Sequence, residues 1–450
     1  MLYRKIEGLI TEHLQSGSKK ILLVDGARQV GKTYIIRHAG QNLFENFIEV
    51  NMIEDFWGNR LFSAVRIVED FYLQLSMIAG NKMKERENTL IFLDEIQAYP
   101  HLLTLLKFLS QDSKFTFIAS GSLLGVTLSQ ITSIPMGSIR KVRMFPLDFE
   151  EFLYANGMNE NVIASLKTKF QNRESLDESM HGKMMDMFRK FLLVGGLPDA
   201  VNAYLETHNT QRSREVQNEI REYYAADASK YDKINKLKIR RIYELIPSNM
   251  ENKKKRVIAQ RIEDKKGKTF NDYQDEFEYL ISAGIALNVQ AVSNPKFPLA
   301  ESEGKNLLKL YLNDVGILSG MLYGNNIRAV LDGVCSINLG SVYDTVVAGE
   351  LIAHGHKLFY YDNRNKGEVD YLIDDYFALS VVPIEVKSGK DYTVHSALNT
   401  FVDNEEYHIQ QAFVLCNERL ITQKGKITYL PVYFIMFFQQ GIMNEEDMVI

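Results

Sequence analysis

The stretch Ile21–Thr33, ILLVDGARQVGKT, constrains the fold more than any other part of the chain. Ile21 to Val24 read as a short buried strand, Gly26 to Thr33 match G-x-x-x-x-G-K-[ST] in full, and the residues from Tyr34 on read as the first turns of a helix. Strand, glycine loop and helix in that order make a cradle for a phosphate chain. The glycines let backbone N–H groups turn inward, and the helix N-terminus adds partial positive charge. Gly26, Ala27, Arg28, Gln29, Val30 and Gly31 then form the loop, with Tyr34 just beyond it. Lys32 reaches the outer phosphates as a point charge, and the Thr33 hydroxyl is placed to hold Mg²⁺. A nucleoside triphosphate with Mg²⁺ is the expected ligand.

Asn46–Asn51 reads as a second strand. Thr89–Asp94 reads as a third, whose apolar residues run into the adjacent carboxylates Asp94 and Glu95. A buried parallel strand opens at its C-terminal end into a ligand crevice. Asp94 is therefore expected in the Mg²⁺ shell, with Glu95, one residue further out, as the base that orients water. The next apolar run ends in Ser120-Gly-Ser122, where Ser120 is a candidate sensor of the terminal phosphate; a plain small-residue turn is the alternative. Repeated strand–helix units predict an α/β domain over residues 1–155, a parallel sheet covered on both faces.

At 450 residues the chain is too long for one core, and roughly two to four domains are expected. Two cysteines, Cys335 and Cys416, cannot build a disulfide framework, and neither has metal-ligand spacing. They point to a reducing compartment. Residues 1–14 carry charges among the apolar positions and lack a signal-peptide core. The apolar run Tyr429–Phe438 is too short to span a bilayer and contains Pro431. A cytoplasmic location without a membrane partner follows as the expectation.

The net charge of −5 hides an asymmetry: residues 230–272 hold fourteen Lys/Arg against six Asp/Glu, a local +8 that leaves −13 for the rest. A basic block in an acidic chain suggests an anionic partner for that block, the plain alternative being a solvated helix face. Residues 156–230 read as a helical lid. Over 231–322, three short helices followed by strands near 285–290 and 307–312 describe a winged helix-turn-helix that contains the basic block, with double-stranded DNA the expected partner. In the tail, residues 323–450, a helix from Gly340 precedes strands carrying Asp370, Glu385 and Lys387. Residues two apart on a strand share a face, so Glu385 and Lys387 are neighbours beside Asp370. Two carboxylates suit a hard ion such as Mg²⁺, and the lysine suits an attacking water. A surface ion pair on an inactive scaffold is the plain alternative.

Together, Gly26–Thr33, Asp94-Glu95-Ile-Gln97, Ser120-Gly-Ser122, the segment Phe145–Leu153 and Gly195-Gly-Leu-Pro198 resemble the prokaryotic AAA+ type ATPases that carry a C-terminal PD-(D/E)XK nuclease-like domain. The resemblance implies ATP binding and hydrolysis; a homo-oligomer is one partner to be considered. The resemblance also implies contact of Pro198 with the adenine, and a nuclease-like tail in which Asp370, Glu385 and Lys387 match the cleaving residues. Such tails add a helix glutamate. The match here falls on Asp344, one methylene shorter, with Glu350 as the fallback. The sequence departs from the usual Gly-Arg before the closing segment, where Arg140 and Arg143 stand instead. The expected function is a nucleotide-driven switch or motor on DNA; the alternative is an ATP-dependent regulatory scaffold for protein or RNA with an inactive nuclease fold.

Overall fold

Strands β1 (Ile21–Asp25) and β3 (Thr89–Asp94) are buried at every position, as strands covered on both faces must be. The computed structural model describes residues 1–122, 124, 127, 137–231, 236–252, 254–302, 304–331 and 339–440. It joins these strands with β2 (Asn46–Asn51), β4 (Thr116–Gly121) and β5 (Ile139–Arg143) into one five-stranded sheet of order β2-β3-β4-β1-β5. Every pairing is parallel. Because β4 lies between β1 and β3, with Asp25 opposite Gly121 and Leu93 opposite Ala119, the ends of all three strands open at one edge. One face buries Phe62, Phe71, Leu75, Leu102, Leu106 and Phe117 in a single cluster, to which the helices Val68–Ala79 and Pro100–Asp112 contribute.

The chain divides into two compact units, Met1–Phe145 with Ser282–Ile285, and Pro146–Ile281 with Ala286–Ile450. The first boundary falls ten residues before the expected 155. Packing explains the shift: Phe149 and Phe152 of the helix Phe149–Ala155 stack on Phe188 and Phe191 of the helix Glu178–Val194. Asp148 caps that short helix in a full capping box with Glu151.

The expected lid region holds four helices, Glu160–Gln171, Glu178–Val194, Pro198–Thr207 and Thr210–Tyr231. The break between the second and third is the Gly195-Gly196 pair. Gly195 has φ +68, and a Cβ there would lie 2.4 Å from the buried Asp314 carboxylate. A Cβ on Gly196 would lie 2.1 Å from the Leu147 carbonyl oxygen. Both positions therefore need glycine. The Gly196 N–H donates to Asp314 at 2.7 Å, and the Leu147 N–H donates to the Gly196 carbonyl at 2.7 Å. Asp314 also accepts the Ile317 N–H at 3.0 Å as the N-cap of the helix Val315–Tyr323.

The second sheet has eight strands in the order β12-β13-β11-β10-β9-β8-β6-β7. They are β6 (Ala286–Val292), β7 (Gly304–Leu312), β8 (Phe359–Asn363), β9 (Gly367–Asp375), β10 (Ser380–Val386), β11 (Ala412–Cys416), β12 (Thr422–Lys424) and β13 (Ile427–Pro431). The expected separation of a winged helix at 231–322 from a tail at 323–450 does not survive this topology. The supposed wing, β6 and β7, is an antiparallel hairpin whose β6 pairs in parallel with β8, so it forms an edge of the tail sheet. An isolated two-stranded hairpin is at best marginal in water, and pairing to β8 supplies the missing ladder. Helices do precede the hairpin, at Lys236–Met250, Gln260–Glu263 and Gln274–Ser282.

Replacing Gly196 by alanine drives a methyl group into the Leu147 carbonyl. The variant is expected to lose about 1–3 kcal/mol, a typical overpacking cost. A lowered midpoint in urea unfolding, with the slope unchanged, is the measurement that checks it.

Candidate functional site

The loop after β1 is wired from several directions. Gly31 takes φ +93 as N-cap of the helix Lys32–Leu43, so the helix begins on the lysine itself. The Arg4 guanidinium, almost fully buried, donates to the Val30 carbonyl at 3.0 Å and the Phe145 carbonyl at 2.6 Å. Asp25, 1 % exposed at the end of β1, is paired with Lys141 at 3.1 Å and Arg143 at 3.4 Å. Arg143 also donates to the Ser282 carbonyl at 2.7 Å, so it ties the end of β5 to a distant turn of the same unit; Arg140 is exposed. Gly284, with φ +73, brings a turn from far along the sequence to within 3.2 Å of the Ala27 nitrogen, measured from where a Cβ would stand.

Inside the loop, the Lys32 ammonium donates to the Gly26 and Ala27 carbonyls at 2.9 and 2.7 Å. Burial draws its pKa below the ordinary lysine value, opposed by the nearby Glu95, Asp25 and Asp94. An anion arriving beside it would relieve that burial cost. Thr33 Oγ1 donates to Asp94 Oδ2 at 2.8 Å, and Ser120 Oγ donates to Asp94 Oδ1. Burial pushes the Asp94 carboxyl up, while the hydroxyls of Ser120 and Thr33 hold it down. A hydroxyl and a carboxylate touching beside a phosphate loop form an all-oxygen donor set, which fits Mg²⁺ carried on a nucleotide.

Glu95 sits in the left-handed region at φ +52, a conformation costing of order 1–3 kcal/mol that recurs at functional sites. Its Oε2 accepts hydrogen bonds from Ser122 Oγ at 3.0 Å and from Gln97 Nε2. Gln97 Nε2 and Ser122 Oγ are themselves 3.2 Å apart. The carboxylate is thus latched by one residue of its own turn and one just past the end of β4. The loop residues Gly26 to Thr33, Asp94, Glu95 and Ser120 come together in one place. Pro198 belongs to the second unit, where it opens the helix Pro198–Thr207. Sequence reasoning missed Arg4, Asp25, Gln97 and Gly284. Asp25, Gln97 and Ser122 stood beside a motif and could have been read; Arg4 and Gly284 lie far from it in sequence.

A second gathering of charge lies in the tail. Glu385 at the end of β10 pairs with Lys387 at 2.9 Å, and Asp370 on β9 accepts the Val386 N–H at 3.0 Å. Asp344, 1 % exposed on the helix Gly340–Ala353, is bonded to the Lys255 ammonium. Burial, then Asp370, pushes the Glu385 carboxyl up to about 8. Burial likewise raises Asp344 to about 6, against the pull of Lys255. Lys387 is held above its ordinary value by Glu385 in spite of its own burial. The four expected residues, Asp344, Asp370, Glu385 and Lys387, are therefore neighbours, and the Glu385–Lys387 pair is not a surface one. Glu350, the fallback ligand, points elsewhere: its Oε1 accepts the Phe149 N–H at 2.6 Å, and its Oε2 lies 3.8 Å from His354, which is 3.4 Å from Asp148.

The basic block is also partly committed. Lys255 bonds Asp344, and Arg256 pairs with Asp362 at 3.1 Å. Lys253 lies outside the described residues, and Lys254, Arg261, Lys265 and Lys266 are exposed. Cys416 is a buried free thiol, and Cys335 lies outside the described residues. Among the described residues no helix is long and apolar enough to cross a membrane.

Three family models match successive parts of the chain: an AAA domain over residues 18–153, the domain of unknown function DUF8612 over 185–327, and the domain of unknown function DUF4143 over 339–435. No curated protein matches. Similar solved structures include the Walker-type ATPase PabY2304 of Pyrococcus abyssi, 15 % identical with a TM-score of 0.42, covering 72 % of this chain and 96 % of its own. The ORC1 protein of Aeropyrum pernix in complex with DNA is 15 % identical with a TM-score of 0.30, covering 73 % and 94 %. The RuvB Holliday junction branch migration motor of Thermotoga maritima is 13 % identical with a TM-score of 0.29, covering 63 % and 89 %. The first unit is an AAA+ P-loop domain, and the chain is an ATP-hydrolysing enzyme. The matches over 185–327 and 339–435 carry no assigned activity.

The latch on Glu95 generates a prediction. Ser122→Ala removes one of its two donors, a hydrogen bond to a charged group worth about 1.5–3 kcal/mol. Part of that is expected to appear as faster basal ATP turnover, roughly two- to tenfold, in a steady-state assay without partner.

Proposed function

We propose that the chain is a Mg²⁺- and ATP-dependent switch or motor that acts on double-stranded DNA in the cytoplasm as a homo-oligomer, with the carboxylate cluster of its tail gripping or cutting the nucleic acid. The observation that carries the reading is the shared hold on Asp94: Thr33 from the phosphate loop and Ser120 from the neighbouring strand both bond it, so that loop, carboxylate pair and polar strand end work as one unit.

In this reading the N–H groups of residues 26–31 and the Lys32 ammonium bind the phosphate chain. Thr33 and Asp94 would hold Mg²⁺, which supplies charge withdrawal from the phosphates. Glu95, once released by Ser122 and Gln97, takes the proton of the attacking water, and Ser120 positions Asp94 while reporting on the phosphate end. Tyr34 and Pro198 are assigned to the nucleotide, Pro198 to its adenine. In the tail, Asp370, Glu385 and Asp344 are the candidate metal ligands and Lys387 the residue acting on water. The winged-helix likeness of the 236–282 helices and the nuclease likeness of the tail belong to this proposal.

Turnover tests the first half. Lys32→Ala is expected to abolish measurable ATP hydrolysis. Glu95→Gln is expected to bind ATP and retain it, since the amide keeps the shape and loses the base. Wild-type turnover in Glu95→Gln would move the base to another residue.

A salt titration tests the second half. Lys254, Arg261, Lys265 and Lys266 are exposed cations of the basic block, and changing all four to serine is expected to flatten the dependence of log K on log salt by about 2–4 units. The regulatory-scaffold reading has its own support in the internal pairing of Lys255 and Arg256, which takes two charges away from any phosphate. An unchanged slope, with no effect of DNA on ATP turnover, favours the scaffold.

A further inference from the structure

The tail cluster contains a cation that its sequence pattern does not call for. Lys255 belongs to a strap, described at residues 251–252 and 254–257, that is fixed at three other points. Ser341 at the start of the Gly340–Ala353 helix donates to Glu251, Arg256 pairs with Asp362, and the Val257 N–H donates to the Leu308 carbonyl of β7 at 3.0 Å. Between those anchors Lys255 takes φ +48, a left-handed conformation that non-glycine residues avoid. The strained backbone aims its side chain at Asp344, and its charge is felt by Asp370 and Glu385 as well.

We propose that Lys255 is the resident cation of the Asp344–Asp370–Glu385 pocket, taking the place a divalent ion would occupy and keeping the tail closed to metal while the strap is seated. The inference rests on the reading of these carboxylates as a metal site, and it gives that site a regulator within the chain.

Charge accounting makes the two cations alternatives. Counted with every acid ionised, as metal ligation requires, three carboxylates face two ammonium groups, Lys255 and Lys387, a balance of −1. Adding a divalent ion would leave a buried +1, whereas exchanging Lys255 for the ion brings the pocket to zero. Buried charge without a counter-charge is expensive, so exchange is favoured over addition. The pocket does suit a cation: Asp344 Oδ1 and Glu385 Oε2 are buried and accept no hydrogen bond from any described residue. With the Lys255 ammonium on Asp344 Oδ2, an ion approaching those two oxygens would meet a cation already beside them.

Calorimetric titration of MnCl₂ into the full-length protein without nucleotide tests this, with the P-loop unchanged in every sample. The wild type is expected to show no tail site. Lys255→Ala should gain one site per chain, at least tenfold tighter than anything in the wild type and lost in Lys255→Ala/Asp370→Asn. Lys255→Gln keeps a donor for Asp344 while removing the charge, and should gain the same site even if the alanine variant folds poorly. Equal Mn²⁺ binding by wild type and Lys255→Gln, abolished by Asp370→Asn, overturns the proposal and leaves the carboxylates as a metal site. No Asp370-dependent site in any variant overturns both.

Discussion

The nucleotide crevice depends on one buried carboxylate. Asp94 is 3 % exposed, and an ionised acid at that depth must be surrounded by donors or lose its proton. Thr33, Ser120 and the Glu95 N–H provide them, each from a different element: the helix after the phosphate loop, β4, and the turn after β3. The strand order that places β4 between β1 and β3 is what makes this possible. The left-handed Glu95 follows from the same arrangement, because the chain must turn sharply just where its neighbour is held.

The second unit repeats the theme at larger scale. Asp314 is fully enclosed, and burial raises its pKa against the N–H groups of Gly196, Ile317 and Gly316 that favour its charged form. Arg214, pulled down to about 10 by burial, donates to the Gly316 carbonyl at 2.6 Å and to Gln217 at 2.7 Å beside it. Lys309, with no exposed surface, reaches Glu368 at 2.6 Å and lies 4.4 Å from the centre of the Tyr360 ring. Breaking a buried pair by removing one partner typically costs 3–5 kcal/mol, because the other charge stays behind. Of these groups Lys309 and Glu368 stand on strands, and their pairing ties β7 to β9 within the second sheet.

Local pattern carried the parts of the fold that are local. The strand Asn46–Asn51, the P-loop and its helix, and the Asp94-Glu95 strand end were legible because apolar runs and a complete motif coincide there. The hairpin β6–β7 was also visible as strands, but its partner was not. Nothing within residues 285–312 announces β8, a strand almost fifty residues further on that decides whether the hairpin is a wing or a sheet edge. The glycine pair at 195–196 was legible as a break, while its cause, Asp314 and the Leu147 carbonyl, is written far away. In the tail cluster, period-two alternation gave Glu385 and Lys387, and Lys255 was hidden because it was counted as one charge in a basic run.

That last case bears on how charge should be read from a sequence. The +8 of residues 230–272 treats every cation as equally available to a partner. In the folded chain Lys255 and Arg256 serve Asp344 and Asp362, Arg241 pairs with Asp264, and Lys268 pairs with Asp272 at 3.0 Å. An exposed pair such as the last is weak and can be traded for a phosphate at small cost. The Lys255 pair is not of that kind, since withdrawing it strands Asp344 at 1 % exposure with Asp370 and Glu385 beside it. Any anion that recruited Lys255 would have to leave a cation in its place. A surface that recognised nucleic acid and a pocket that held metal could therefore not draw on this lysine at the same time. The third residue of a basic-looking run is better counted with the acids it neutralises than with the cations it follows.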